Sequence, residues 1–197
     1  MDYVFDFGGV LANINKWRLR RRLMSLGVSL FTQVRHVRDL KRIAYQFING
    51  LEDEGEAIRE LCQFCRKDIP MERVWSSFDD FCDDVPVARL RRIVELRRKG
   101  HRVFVLSNIT QRIWQHASDC LERMGYPVAK TFDGLFLSFQ TRIPKPLEQA
   151  FLNLVEKTGI KPQQTVFFDD NAQNVASAQH LGFQAVLVPF NKLEKVW

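Results

Sequence analysis

From Pro86 onward the chain alternates between two kinds of stretch, and that alternation restricts its possible folds more than any other feature. Amphipathic segments run from about Gln111 to Met124, Pro146 to Lys157 and Asn171 to Leu181. Between and around them lie short apolar runs, Val103 to Leu106, Gly134 to Phe139, Thr165 to Phe168 and Gln184 to Val188. Apolar runs of this length suit strands covered on both faces, and a helix between successive strands is the crossover that parallel pairing requires. The expected fold class is therefore α/β, a doubly wound parallel sheet. A further helix begins after Pro86 and closes at Lys99-Gly100, where Gly100 suits a C-cap.

One more strand stands at the start of the chain. In Tyr3-Val-Phe-Asp-Phe-Gly-Gly-Val-Leu11 an apolar run ends in a single carboxylate, Asp6, then turns through Gly8 and Gly9 and returns to apolar residues. Asp6 is thus expected at the carboxyl edge of a strand, where open α/β sheets gather their ligands. Between this unit and Pro86 the pattern is almost purely helical. Trp17 to Leu26, Phe31 to Ile48, Glu52 to Cys65 and Glu72 to Phe81 each carry apolar residues at three-and-four spacing, separated by Gly27, Gly50 and Pro70. The reading is an α/β core formed by residues 1–15 and 85–197, with residues 16–84 inserted as a four-helix cap. With no flexible linker, the cap is expected to lie directly on the core and leave a ligand cleft between them.

Composition narrows the class. The chain has 197 residues, 46% of them hydrophobic and 26% charged, which suits one sizeable core with a small insertion. Its apolar runs are too short to cross a bilayer, and its beginning has neither the basic nor the apolar region of an export signal, so no membrane partner and a cytoplasmic location are expected. In such a compartment Cys62, Cys65, Cys82 and Cys120 are expected as reduced thiols. The Cys62-x-x-Cys65 pair lacks a second ligand pair and sits on helical spacing, which favours core cysteines over zinc. The net charge of +6 raises nucleic acid as a partner. Yet around Arg89 to Lys99 an apolar face of Val87, Leu90, Ile93, Val94 and Leu96 leaves the arginines the solvated side of an amphipathic helix. The positive field is better used on a small phosphorylated molecule. The acidic run Asp79-Asp80-Phe81-Cys82-Asp83-Asp84 lacks the glycine and glutamate of a calcium loop and reads as a solvated hinge.

Three later stretches join Asp6. The second strand delivers Ser107 and Asn108 at its carboxyl edge, suited to hydrogen bonds with an anionic oxygen. Ile143-Pro-Lys-Pro146 holds Lys145 between prolines at a helix start, and Thr165-Val-Phe-Phe-Asp-Asp-Asn171 ends a strand in two carboxylates, Asp169 and Asp170, the donors hard cations seek. A carboxylate can approach a phosphate dianion only if their repulsion is cancelled, and one divalent cation with one ammonium would cancel it.

Asp, Ser, Lys and Asp-Asp in that order, each at an element boundary of one α/β pattern, resemble the four motifs of the haloacid dehalogenase (HAD) superfamily over essentially the whole chain, with the helical insertion where its C1-type cap lies. The runs Gly100-His-Arg-Val-Phe-Val-Leu-Ser-Asn108 and Thr165 to Ala172, with Leu135-Phe-Leu-Ser138, look like the bacterial α-D-glucose-1-phosphate phosphatase subgroup, which also carries glycine two positions after the nucleophile. The resemblance implies a phosphatase in which Asp6 attacks phosphorus to give an aspartyl-phosphate. It implies Mg²⁺ held by Asp6, the Gly8 carbonyl and Asp170, phosphoryl oxygens held by Ser107 and Asn108, and Lys145 neutralising charge, with Asp169 positioning either Lys145 or a metal-bound water. The implied partner is a small phosphate ester, such as a sugar phosphate.

Gly8 departs from most phosphatases of this superfamily, which carry a second aspartate there for general acid-base work, help worth about 10²- to 10⁴-fold. Asn13 and Asn15 stand where the likened subgroup has acidic residues. Slow turnover with a bias towards good leaving groups is the expected consequence. Two other readings share the pattern: a phosphate-binding or regulatory protein with weakened catalysis, and a metal-independent 2-haloacid dehalogenase, which would have little use for Asp169 and Asp170.

Overall fold

A computed structural model describes residues 1–51, 53–79 and 84–197. Five parallel strands form one sheet in the order β3-β2-β1-β4-β5: β1 is Asp2–Phe5, β2 Arg102–Ser107, β3 Gly134–Leu137, β4 Thr165–Asp169 and β5 Gln184–Leu187. The helices, in chain order, are α1 (Lys16–Ser25), α2 (Leu30–Arg35), α3 (Val37–Ile48), α4 (Glu54–Cys62), α5 (Met71–Trp75), α6 (Val87–Arg98), α7 (Gln111–Arg123), the single turns α8 (Val128–Thr131) and α9 (Ser138–Thr141), α10 (Glu148–Thr158) and α11 (Ala172–His180). The first strand in sequence is thus the central strand in space.

Successive side chains on a strand point to opposite faces, and the core divides accordingly. Val4, Phe104 and Phe167 face one side, where they meet Ala150, Phe151 and Leu154 of α10 and Ala178 of α11. Phe5, Val105 and Phe168 face the other, against Ile93 of α6 and Ile113 and Ala117 of α7. The second cluster continues without interruption into Ile43 and Phe47 of α3, Ile58 of α4 and Val74 of α5. Helices on both faces of a parallel sheet are the doubly wound arrangement the alternation predicts.

Residues 16–78 depart from the four-helix expectation at three places. The stretch from Phe31 to Ile48 is divided at His36, the residue that ends α2 and precedes α3 (φ −112°, ψ 29°). The two pieces have different jobs: α2 buries none of its residues, whereas α3 turns Ile43 and Phe47 inward. The helix after Gly50 ends at Cys62, so Cys65 lies in the following turn; burial pushes its thiol up to about 11. The helix beginning near Glu72 gives way to a 3-10 turn, Ser76–Phe78, and residues 80–83 of the acidic run lie outside the described residues. Either side of that run, Asp79 pairs with Arg112 and Asp84 bridges Asn13.

The helix α6 carries a correction. Arg89 is not on a solvated face but buried, and its guanidinium donates to the Val10 carbonyl at 2.7 Å, the Asn191 carbonyl at 2.8 Å, Asn13 Oδ1 at 3.0 Å and Glu194 Oε2 at 2.9 Å. It stands four residues before the buried Ile93, on the inward stripe, because the turn after β1 exposes carbonyls there that need a donor. No helix among the described residues is long and apolar enough to cross a membrane.

Candidate active site

Parallel register decides which side chains meet at the sheet's carboxyl edge. Phe5 lies opposite Val105 on one side and Phe168 on the other, and the Asp6 N–H extends the ladder by donating to the Phe168 carbonyl at 2.8 Å. The residues just beyond are therefore neighbours: Asp6 after β1, Ser107 at the end of β2, and Asp169 and Asp170 at the end of β4. The chain leaves β1 through Gly9, whose φ of +85° falls in the left-handed region. A Cβ there would stand 2.7 Å from Asp170 Oδ2, so glycine lets the turn approach that carboxylate.

Lys145 arrives from the loop between α9 and α10 with its side chain almost fully buried. Its Nζ lies 2.9 Å from Asp6 Oδ1 and 2.6 Å from Asp169 Oδ2, a buried cation between two buried carboxylates. Asp169 is fixed in turn by Asn174, whose Nδ2 donates to both carboxylate oxygens at 3.0 Å, and by the Asn171 N–H at 2.8 Å. The oxygens of Asp6, Asp169 and Asp170 converge within 4.8 Å of one another.

Burial is the largest influence on the Asp6 carboxyl and pushes it up to about 6; Lys145 opposes the rise, and Asp169 and Asp170 add to it. For Lys145 burial works to lower the ammonium, but the carboxylates of Asp169 and Asp6 outweigh it and the group lies above its usual value. The ammonium is therefore retained as a charge, and it holds Asp6 at one oxygen. Three gathered carboxylates around one ammonium leave excess negative charge, and an all-oxygen donor set of this kind fits a hard divalent cation such as Mg²⁺.

All seven residues singled out from the sequence come together. Asp6, Gly8, Ser107, Asn108, Lys145 and Asp170 line one cleft of about 500 Å³, and Asp169 stands behind Lys145. The opposite wall comes from α3, through Ala44, Tyr45 and Ile48, and from Asn49 at its C-cap. Asn108 has a different occupation from a side-chain phosphate ligand. Its amide clamps the Lys145 backbone from both sides, accepting from the Lys145 N–H at 2.9 Å and donating to its carbonyl at 2.8 Å. Its second hydrogen goes to Asn49 Oδ1 at 2.6 Å. Both amide donors are spent. Asn13 and Asn15 are also engaged structurally: Asn13 with Asp84 and Arg89, Asn15 as the N-cap of α1.

Sequence reasoning missed Arg89, Asn174 and Asn49. The first two carry a signal in retrospect, since each is a polar residue four positions before a buried apolar one, Ile93 and Ala178. Asn49 has none, because its partner lies 59 residues away.

Comparison with known proteins agrees with this geometry. The D-ribitol-5-phosphate phosphatase of Bacteroides thetaiotaomicron is 27% identical over 184 residues, 93% of this chain and 89% of that protein. An HAD family enzyme from the same bacterium, solved with magnesium and inorganic phosphate, superposes with a TM-score of 0.84 at 26% identity, covering 96% of this chain and 94% of that one. An HAD-like family hydrolase from Porphyromonas gingivalis gives 0.80 at 29% identity, covering 96% and 91%. The family model described as haloacid dehalogenase-like hydrolase matches residues 3–182. A match that takes in four of the five strands, joined to a strand-end carboxylate paired with a buried lysine, establishes that the chain belongs to the haloacid dehalogenase-like hydrolase family.

Proposed function

We propose that this hydrolase is a Mg²⁺-dependent phosphomonoesterase of a small phosphorylated metabolite, with Asp6 as nucleophile. The observation that carries the reading is the Asp6–Lys145–Asp169 array, a buried carboxylate held by an ammonium at the mouth of a cleft. The reaction breaks the phosphorus–oxygen bond of the ester. Asp6 attacks phosphorus as the alcohol leaves, and water then releases phosphate from the aspartyl-phosphate. Lys145 cancels the repulsion between Asp6 and the incoming dianion, and Asp169 with Asn174 keeps the ammonium aimed there. Ser107 Oγ and the Asn108 backbone N–H are the donors we assign to phosphoryl oxygens, since the Asn108 amide is engaged. Mg²⁺ would be held by Asp6, Asp170 and the Gly8 carbonyl, supplying the second positive charge. Lacking a second aspartate at position 8, the enzyme favours esters whose alcohol departs easily.

Residues 16–84 act, in this reading, as the cap that covers residues 1–15 and 85–197 and sets the alcohol accepted. Sugar and polyol phosphates come first among candidates. The resemblance to glucose-1-phosphate phosphatases and the name of the ribitol-5-phosphate relative both support that class. The test is phosphate release across a panel that includes glucose 1-phosphate, ribitol 5-phosphate and p-nitrophenyl phosphate. Expected are activity with Mg²⁺, its loss in EDTA, and its elimination in a folded Asp6→Asn variant. Halide release from 2-chloropropionate in EDTA, without phosphate release from any ester, would overturn the assignment.

A further inference from the structure

A second space lies inside the helices that cover the cleft. Helices α1, α3 and α4 line a half-open cavity of about 300 Å³, and fourteen of its sixteen described lining residues are apolar. Engineered apolar cavities of about 150 Å³ stay dry and take up benzene, so this one has room for a group about twice that size. An empty void costs stability in proportion to its volume. Here two alanines, Ala44 and Ala57, line walls otherwise built from residues such as Leu23, Leu40, Ile58 and Leu61. Larger side chains at the alanines would close the space, and the chain does not use them.

The polar lining residues are Gln33 and Lys41. The Gln33 amide donates to the Val28 carbonyl at 2.9 Å, whereas the exposed Lys41 ammonium has no carboxylate within ion-pair distance among the described residues. Charge is concentrated on the same helices. Residues 16–42 hold nine Lys and Arg against one carboxylate, Asp39, a net +8, although the whole chain is only +6, so the remainder is net −2. Part of that charge is answered locally, as where Arg42 meets Glu60 at 2.5 Å, but the region remains one that draws anions.

We propose that this cavity binds an anionic amphiphile, its alkyl or aryl tail against Leu40, Ala57 and Leu61 and its carboxylate-like head on Lys41, as a ligand separate from the phosphate ester. Ala44, Ile48 and Ile113 line both the cavity and the catalytic cleft, so an occupant rests directly on the wall facing the ester.

The test is calorimetric titration of the whole protein, without ester, using decanoate below its micelle concentration and decanol as the uncharged probe. Expected is saturable binding of one decanoate per chain. Ala57→Leu should weaken it at least tenfold while melting no lower than the parent, because the added atoms fill the void. Lys41→Glu, a change on an exposed side chain, should weaken decanoate severalfold and leave decanol unchanged. The proposal is overturned if decanoate fails to saturate, if a folded Ala57→Leu binds it undiminished, or if Lys41→Glu does not alter it. Displacement of decanoate by inorganic phosphate with Mg²⁺ would also overturn it, by putting the chain in the catalytic cleft.

Discussion

Replacing Gly50 by alanine isolates the contact through which the end of α3 reaches Lys145. Gly50 has φ of +63°, and a Cβ there would fall 2.5 Å from the Phe139 Cα and 2.8 Å from its backbone nitrogen. An L-residue in the left-handed region costs about 1–2 kcal/mol before any clash. Separating two stretches of backbone to a tolerable 3.0 Å or more then moves the turn by at least half an ångström. Asn49 is its neighbour, and a shift of that size stretches the 2.6 Å bond from Asn108 to Asn49 to about 3.1 Å, the long end of the normal range. Weakening it adds up to about 1 kcal/mol. Gly50→Ala should therefore lose about 2–4 kcal/mol in urea unfolding. Because Asn108 also clamps the Lys145 backbone, kcat/KM should fall about tenfold, equivalent to ~1.4 kcal/mol. Gly159→Ala is the control: its φ is +65°, yet nothing lies within 4 Å of the added Cβ. It should lose only about 1–2 kcal/mol and keep its kinetics. If the two variants match in both stability and kcat/KM, the argument for the α3 contact is wrong.

Three further outcomes follow from other contacts. Lys145→Ala removes the ammonium between Asp6 and Asp169 and should lower kcat about 10²- to 10³-fold at saturating Mg²⁺, and unfolding should fall by about 3–5 kcal/mol because two buried carboxylates lose their counter-charge; stability equal to the parent's would contradict the burial argument. Arg89→Lys offers a point charge where several oxygens need a fork, and leaving one or two of them unpaired should cost about 2–3 kcal/mol in urea unfolding, whereas an unchanged midpoint would show that the turn after β1 does not depend on it. At Asp79 a hydrogen bond from Arg112 holds the carboxyl below its usual value, so the pair stabilises the fold above about pH 4 and that contribution is lost as pH falls further. The parent should lose up to about 1 kcal/mol more than Asp79→Asn between pH 5 and pH 2, and parallel pH profiles would count against the pair.

The sheet was legible because its evidence is local. Uninterrupted runs such as Val103 to Leu106 mark strands buried on both faces, and the position of Asp6, Ser107 and Asp169 at their ends follows from where those runs stop. Lys145 was legible because prolines flank it. What escaped was set by tertiary contact. Nothing near His36 announces that α2 has no core to face while α3 has one. Asn108 looks like an oxyanion donor until the Lys145 backbone and Asn49, respectively 37 and 59 residues distant, take its amide. Arg89 was hidden by company, one arginine among several, although the spacing to Ile93 placed it inward.

The pairing of Phe5 with Val105 and Phe168 divides what this protein must keep exact from what it can exchange. Distances among Asp6, Ser107 and Asp169 are inherited from the backbone ladder, where slipping one strand by a residue would reverse every side chain on it. The wall contributed by α3 is under no such discipline. A different insertion after Asn15 could therefore retune which molecules are admitted, while the arrangement at the strand ends carried on unaltered.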